Sequence, residues 1–387
     1  MPASREQTQP IYLDYNATTP HSPEVVEAMR PFLEEHFGNP SSAHWYGRVP
    51  REAVAIARAH VAALLNCSPA AIWFTSGGTE SNNTAIEGVM RAQRSRGRHI
   101  ITTEIEHPAV TAVCARLQQD GCEVTYLPVD GQCRVRAEDV DRAIRPETVL
   151  ITVMHANNET GVVQPVEEIA RIARRRNVVF HTDAAQSAGK LPLDVTQSGA
   201  DLVSLAGHKL YAPKGVGALY VRPGTPIESW MLGAGQEAGH RAGTENVVQI
   251  VGLGKACEIA RRDLAKNMAH LQATRDRLEQ GLCTRIQRVR VNGSEEGCVR
   301  LPNTASVSFE GVEADALLRE IGDSVAASAG AACHSGEARI SHVLRAMRLP
   351  DNWAKGTVRF STGRTTTAAE VDDVVRAVAE AVARLRH

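Results

Sequence analysis

The sequence predicts an α/β fold: a large domain on a mostly parallel seven-stranded sheet, followed by a smaller α+β C-terminal domain. Three observations predict it. A chain of 387 residues exceeds one ordinary core, so two domains are expected. Between about residues 70 and 222, seven short apolar runs alternate with helical patterns, the signature of a parallel sheet covered by helices. From about residue 260 the alternation gives way to long helical stretches mixed with isolated strands.

In chain order, IYLDYNATTP holds a short strand and a turn and is expected to pack with one or both domains. The runs AAIWFTS, RHIITTE, VTYLPV, TVLITVM, VVFHTD, ADLVSLA and VGALYV have strand length and β-branched or aromatic content. Several are apolar throughout, as strands buried on both faces must be. Among the intervening helices, Val166, Ile169, Ala170 and Ala173 form one apolar face. Arg171, Arg174, Arg175 and Arg176 gather towards that helix's C-terminal end, where cations suit the dipole. One long helical stretch is predicted over about 251–284, then the strand ASVSFE, a helix around ADALLREIG, SVAAS, a helix around SHVLRAM and the strand TVRFST. A final helix carries the stripe Val371, Val374, Val375, Val378, Val382 and Leu385. The expected division is 15–260 for the large domain, with 1–14 and 261–387 forming the small one.

Composition narrows the function classes. Hydrophobic content of 43% and charged content of 22% are those of an ordinary globular protein. A formal net charge of -1 argues against a generally basic, nucleic-acid-coating surface. The start MPASREQTQP is polar, and no run of about 18 apolar residues occurs. A soluble cytoplasmic protein with no nucleic-acid or membrane partner is expected. None of the eight cysteines lies in a C-x-x-C pair, and their spacing matches no zinc or cluster pattern, so no metal site is expected. Only six of the 43 basic residues are lysines: Lys190, Lys209, Lys214, Lys255, Lys266 and Lys355. Where charge alone matters this chain uses arginine, so a lysine in an apolar, glycine-flanked setting needs a chemical reason. Lysine forms an imine with an aldehyde; arginine does not.

The chemistry-bearing residues fall at strand ends. FTSGGTESNN follows a strand and opens a helix. Gly77 and Gly78 allow close backbone approach, and Thr79 stands where a helix N-terminus offers N–H groups to an anion such as a phosphate. A plain turn capped by Thr79 is the alternative. Neither the P-loop nor the dinucleotide spacing is present. Asp183 ends VVFHTD, where ligands of open α/β sheets gather, and a carboxylate there can pair with a protonated pyridine nitrogen. Lys209, preceded by His208, follows the apolar run DLVSLAG. His107 in TEIEHPAV can stack on a flat ring and shuttle protons. Asn158 in HANNETG and Gln186 in DAAQ can bond ring substituents. Together, five strand ends present the polar groups that a pyridoxal-phosphate (PLP) site requires. Cys333 lies in the small-residue loop AASAGAACHSGEAR, which has little bulk to bury a thiol. A free thiol has a pKa of about 8.5, and His334 or a histidine of the site can assist its ionisation. Arg359 in TVRFSTGR is placed to fork onto a substrate carboxylate.

Read together, LDYNATTP, GNPSS, FTSGGTESNN, NNETG, HTDAAQSAGK, GHKLYAPKGVGALY, RAGTEN, AACHS and RFSTGR make the chain similar to the cysteine desulfurases of the NifS and IscS type, among the class V aminotransferase-like PLP enzymes. The resemblance spans nearly the whole chain. It implies a fold-type-I PLP homodimer in which Lys209 carries the cofactor as an imine, His107 stacks and moves protons, and Asp183 holds the pyridinium. Asn158 and Gln186 would contact the ring, Gly78, Thr79 and His208 the phosphate, and Thr244 would reach across from the other subunit. Arg359 and Asn39 would bind substrate. Cys333 would take sulfur from L-cysteine as a persulfide, release L-alanine and pass the sulfur to an acceptor protein such as an iron–sulfur cluster scaffold or a sulfur carrier. The loop length resembles the branch in which this cysteine swings between cofactor and acceptor. Two traits depart from the usual pattern. Ala206 stands where the family often has a serine phosphate ligand, and GAACHS and RAGTEN look closer to selenocysteine lyases. L-selenocysteine is therefore an alternative substrate. A class V aminotransferase, which would not need Cys333, and a non-catalytic scaffold are further alternatives.

Overall fold

A computed structural model describes residues 9–330 and 340–386. The chain begins with β1 (Ile11–Tyr12) and the helices α1 (Pro23–Glu34) and α2 (Trp45–Leu65). All seven apolar runs then form strands of one sheet: β2 (Ile72–Thr75), β3 (His99–Thr103), β4 (Glu123–Leu127), β5 (Thr148–Thr152), β6 (Val179–Asp183), β7 (Leu202–Ala206) and β8 (Gly217–Val221). Between them run α3 (Gly78–Ala92), α4 (Pro108–Gln119), α5 (Ala137–Ala143), α6 (Val166–Arg175) and α7 (Val195–Ser198). The strand order is β2-β8-β7-β6-β5-β3-β4. Pairings from β7 through β4 are parallel, while β8 runs antiparallel to both of its neighbours. The reason lies in the connections. Crossover helices return the chain in the same direction, whereas only residues 207–216 link β7 to β8, too few for a crossover. Every residue of β3, β5, β6 and β7 is buried, while the edge strand β4 is partly exposed.

After the sheet come α8 (Val247–Arg262), α9 (Leu264–Arg285), β9 (Val289–Val291), β10 (Thr304–Phe309), α10 (Ala314–Ile321), β11 (Val325–Ala326), β12 (Ser328–Ala329), α11 (His342–Ala346), α12 (Asp351–Ala354), β13 (Thr357–Ser361) and α13 (Ala368–Leu385). The single long helix expected over about 251–284 is two helices, broken at Asp263 (φ -105, ψ 11). The break lets α8 pack on α1 and α2 while α9 turns to β10 and α13. Strands β12, β13, β10 and β9 form a small antiparallel sheet, in that order.

Buried side chains divide accordingly. Two cores lie against the large sheet, one with Phe74, Ile101 and Ile151 and the other with Trp73, Ile100 and Leu150. A third gathers Leu13, Leu278, Val307, Phe309, Leu317, Phe360 and the stripe of α13. Val343, Leu344, Met347 and Ala354, which the sequence reading assigned to the smaller unit, instead join the first of these cores. The N-terminal segment serves both. Ile11 and Tyr12 pair in parallel with Val325 and Ala326, Leu13 accepts from Ser361 N (2.7 Å), and Thr19 Oγ1 donates to His208 O (2.9 Å). Residues 13–19 are thereby carried across the C-terminal ends of the large sheet's strands. Among the described residues, no helix is long and apolar enough to cross a membrane.

Candidate active site

The ends of β3, β5, β6 and β7 open on one cavity of about 420 Å³, a size that suits a small-molecule ligand. Gly78, Thr79, His107, Asn158, Asp183, Gln186, His208, Lys209 and Arg359 all line it. Helix α3 starts at the cavity wall. Its N-cap, Gly77, has φ 149, a conformation open to glycine, and provides no side-chain cap. The first-turn N–H groups of α3 therefore lack intrahelical partners beside Gly78 and Thr79. Ala206 Cβ would lie only 3.1 Å from a Cβ built on Gly78, so β7 approaches α3 closely here. Ala206 itself lines the cavity without a hydroxyl.

Lys209 follows β7 in a short turn, and its Nζ donates to Asn16 O (2.5 Å) and Ala17 O (2.7 Å). Burial first, and the Arg359 guanidinium second, push its amine down to about 8. Asp183 ends β6 and is 6% exposed. Its Oδ2 accepts from Asn82 Nδ2 (2.7 Å) and its Oδ1 from Ala185 N (2.9 Å), so the carboxylate is clamped in one orientation. His107 caps α4, with Nδ1 accepting from Ala109 N (3.1 Å). The neutral ring must then carry its proton on Nε2. Burial lowers the His107 pKa, and it lowers that of His208 to about 4, with Lys209 adding to the latter shift. Glu106, next to His107, is fully buried, and its carboxyl is pushed up to about 8 by desolvation. It accepts from Met154 N (3.0 Å) and Thr103 Oγ1 (2.7 Å), tying the end of β3 to that of β5.

Arg359 reaches the cavity from β13 and is 9% exposed. One terminal nitrogen pairs with Asp14 Oδ1 (2.7 Å) and the other donates to Asn158 O (3.1 Å). Its Nε is buried without a partner among the described residues. A salt bridge and a cavity-facing cation thus coexist in one side chain.

Of the expected residues, Asn39 and Thr244 are not among those lining this cavity. Cys333 lies outside the described residues. Asn39 is exposed between α1 and α2, where its Oδ1 accepts from Ser41 N (2.9 Å). Thr244 is exposed just before α8. The sequence reading assigned no role to Asn16, Asn82 or Lys190. Asn16 joins the site to the small sheet, with Nδ2 donating to Thr304 Oγ1 (2.8 Å) and Asn158 O (3.2 Å). Asn16 and Asn82 sit inside LDYNATTP and FTSGGTESNN, but nothing local distinguishes a hub asparagine from a turn asparagine.

A buried carboxylate and a low-pKa lysine at the strand ends of an α/β sheet define a class of enzyme, and the family model agrees. The chain belongs to the aminotransferase class-V family, whose model matches residues 11–374. Within that class, several similar proteins bear the cysteine desulfurase or NifS name. A cysteine desulfurase of Trichormus azollae is 47% identical over 377 residues, covering 97% of this chain and 94% of that protein. Among solved structures, a NifS-like protein matches with a TM-score of 0.91 and 36% identity, covering 98% of this chain and all of its own length. SspA in complex with cysteine matches with a TM-score of 0.81 and 37% identity, over 93% of this chain and all of that one.

Proposed function

We propose that this chain is a PLP-dependent cysteine desulfurase that converts L-cysteine to L-alanine and takes the sulfur onto Cys333. One observation carries the reading: the Lys209 amine and the clamped Asp183 carboxylate line the same cavity as the uncapped N-terminus of α3. That donor set fits PLP at each end. The N–H groups of α3 with Thr79 and His208 suit a phosphate, Asp183 suits a protonated ring nitrogen, and His107 suits a ring face. When bound, PLP supplies an aldehyde for imine formation and a ring that accepts electron density from the substrate's Cα.

The chain's own residues do the rest. Lys209, with its amine lowered to about 8, sheds its proton far more readily than a solvated lysine and can then receive one from the substrate Cα. Asp183 keeps a proton at the ring nitrogen, and Asn82 keeps Asp183 aimed. Arg359 lines the cavity, and its guanidinium suits a substrate carboxylate. His107 carries its mobile proton on Nε2. The thiolate of Cys333 bonds to the substrate sulfur as the substrate's C–S bond breaks, and a proton completes the methyl group of alanine. Sulfur is oxidised to the persulfide level and carbon is reduced by the same two electrons. The persulfide then passes to an acceptor protein. Two of the three relatives reported above bear the desulfurase or NifS name and the third is a complex with cysteine, and no observation at the site favours selenocysteine over cysteine. A homodimer in the cytoplasm is part of this reading; the free state of the described cysteines suits a reducing compartment.

The test is reconstitution with PLP, followed by assays of alanine and sulfide formation from L-cysteine, with L-selenocysteine alongside. Cys333→Ser should abolish sulfide release while keeping the visible absorbance of the lysine imine. Full desulfurase activity in that variant would remove Cys333 from its role, and a strong preference for selenocysteine would move the assignment to the lyase.

A further inference from the structure

Behind the cavity lies a second buried lysine. Lys190 is 6% exposed, and its Nζ donates to Asn16 Oδ1 (2.9 Å) and Gln186 Oε1 (3.0 Å). The charged groups acting on it, Lys209, Arg359 and Arg364, are all cations, and with burial as the largest cause they lower its pKa well below the lysine range. An ammonium has three N–H bonds to satisfy, whereas a neutral amine has two, which matches the two acceptors its Nζ has. Burying a cation that has no carboxylate partner among the described residues would be costly, so burial favours the uncharged form.

Those two bonds decide which way two amides face. Asn16 is held from both sides, since its Oδ1 also accepts from Asn303 Nδ2 (3.0 Å) while Nδ2 donates to Thr304 Oγ1 (2.8 Å). With Oε1 of Gln186 turned back to Lys190, Nε2 must face the other way. It donates one N–H to Asn16 O (3.0 Å), the same oxygen that accepts from Lys209 Nζ (2.5 Å). The second N–H of Nε2 has no partner among the described residues and is available to a ligand in the cavity, which Gln186 lines.

We infer that Lys190 is a positioning residue: by donating to Asn16 Oδ1 and Gln186 Oε1 it turns Gln186 so that an N–H, not a carbonyl, meets the ligand. This rests on the reading that the cavity takes PLP, where an N–H at that point would serve the ring's anionic oxygen. A lysine that merely filled a polar hole would affect stability and leave the ligand's electronics alone.

The test uses full-length apoprotein titrated with PLP, reading the dissociation constant and the pH midpoint of the visible band. Lys190→Met should weaken uptake about ten-fold, the scale of one lost hydrogen bond to a charged group. It should also raise the pH midpoint, because losing a donor to an anionic oxygen makes the adjacent proton harder to remove. Gln186→Leu should do the same, and the double variant should be no worse than either single one, since one residue acts through the other. Gln186→Glu guards against a misfolded Lys190 variant: it keeps the contact to Lys190 but has no N–H to present, so uptake should again fall about ten-fold. Wild-type affinity and midpoint in Lys190→Met, losses that multiply to about a hundred-fold in the double variant, or wild-type uptake by Gln186→Glu would each overturn the inference alone. Wild-type protein that takes up no PLP would overturn the functional reading and this inference with it.

Discussion

Lys209 shows how much a single residue's chemistry depends on its surroundings. The lowering of its amine from 10.5 to about 8 comes first from burial. In apoprotein, acylation of Lys209 by an amine-specific reagent should reach half its maximal rate near pH 8, against about 10.4 for a solvated lysine. Peptide mapping after a pH series of labelling measures this. The stability linkage has a definite sign. Between pH 8 and 10.5 the unfolded chain holds the proton that the folded chain has shed, so this group's contribution to stability rises with pH across that window. The slope of the urea midpoint against pH there should flatten in Lys209→Met. His107 provides a second check. If it moves a proton in the reaction, His107→Ala should lower alanine formation about 10²–10⁴-fold. Lys209 was legible in the sequence because lysine is scarce here and an apolar strand precedes it. Lys190 shares that scarcity and a preceding glycine, yet only the fold shows what it faces.

At the scale of elements, local periodicity predicted well wherever one face meets one core. The α13 stripe is buried from Val371 through Val382, and all seven strands of the large sheet lie where the apolar runs fall. The α8–α9 break escaped, because a helix that changes partner halfway keeps its polar–apolar rhythm on both sides of the turn. Pattern also says little about the loop between β8 and α8. There Glu237, 3% exposed at its side chain, takes Arg58 as a two-pronged partner and also accepts from Phe74 N (2.8 Å). Glu237 and Ala238 are both left-handed, at φ 47 and 54, so the ion pair holds a strained turn in place. Arg58→Ala should cost about 3 kcal/mol, because it leaves that buried carboxylate without its cation. A denaturation curve in urea reads the loss, and a loss below 1 kcal/mol would show that the turn holds without the pair.

For the whole molecule, the proposed homodimer can be tested at exposed apolar side chains. Leu33, Phe37 and Leu232 are 68%, 82% and 84% exposed, and Trp45 and Tyr46 add aromatic area beside Phe37. Exposed apolar groups of this size usually mark contact with another chain. Light scattering after gel filtration should therefore give twice the mass of the 387-residue chain, and substituting Phe37 and Leu232 by serine should shift the protein towards monomer. The sequence was sufficient for the seven strands of the large sheet, for the polar groups at their ends and for the family motifs, because those are matters of local pattern and covalent identity. It could not show that Asn16 would bridge Lys190, Thr304 and Asn158, that Asn82 would aim Asp183, or that Arg359 would share itself between Asp14 and the cavity. Those partners are more than a hundred residues apart in the chain. The pKa of Lys209 and the facing of Gln186 likewise depend on desolvation and hydrogen bonds that exist only once distant segments have closed around the same cavity.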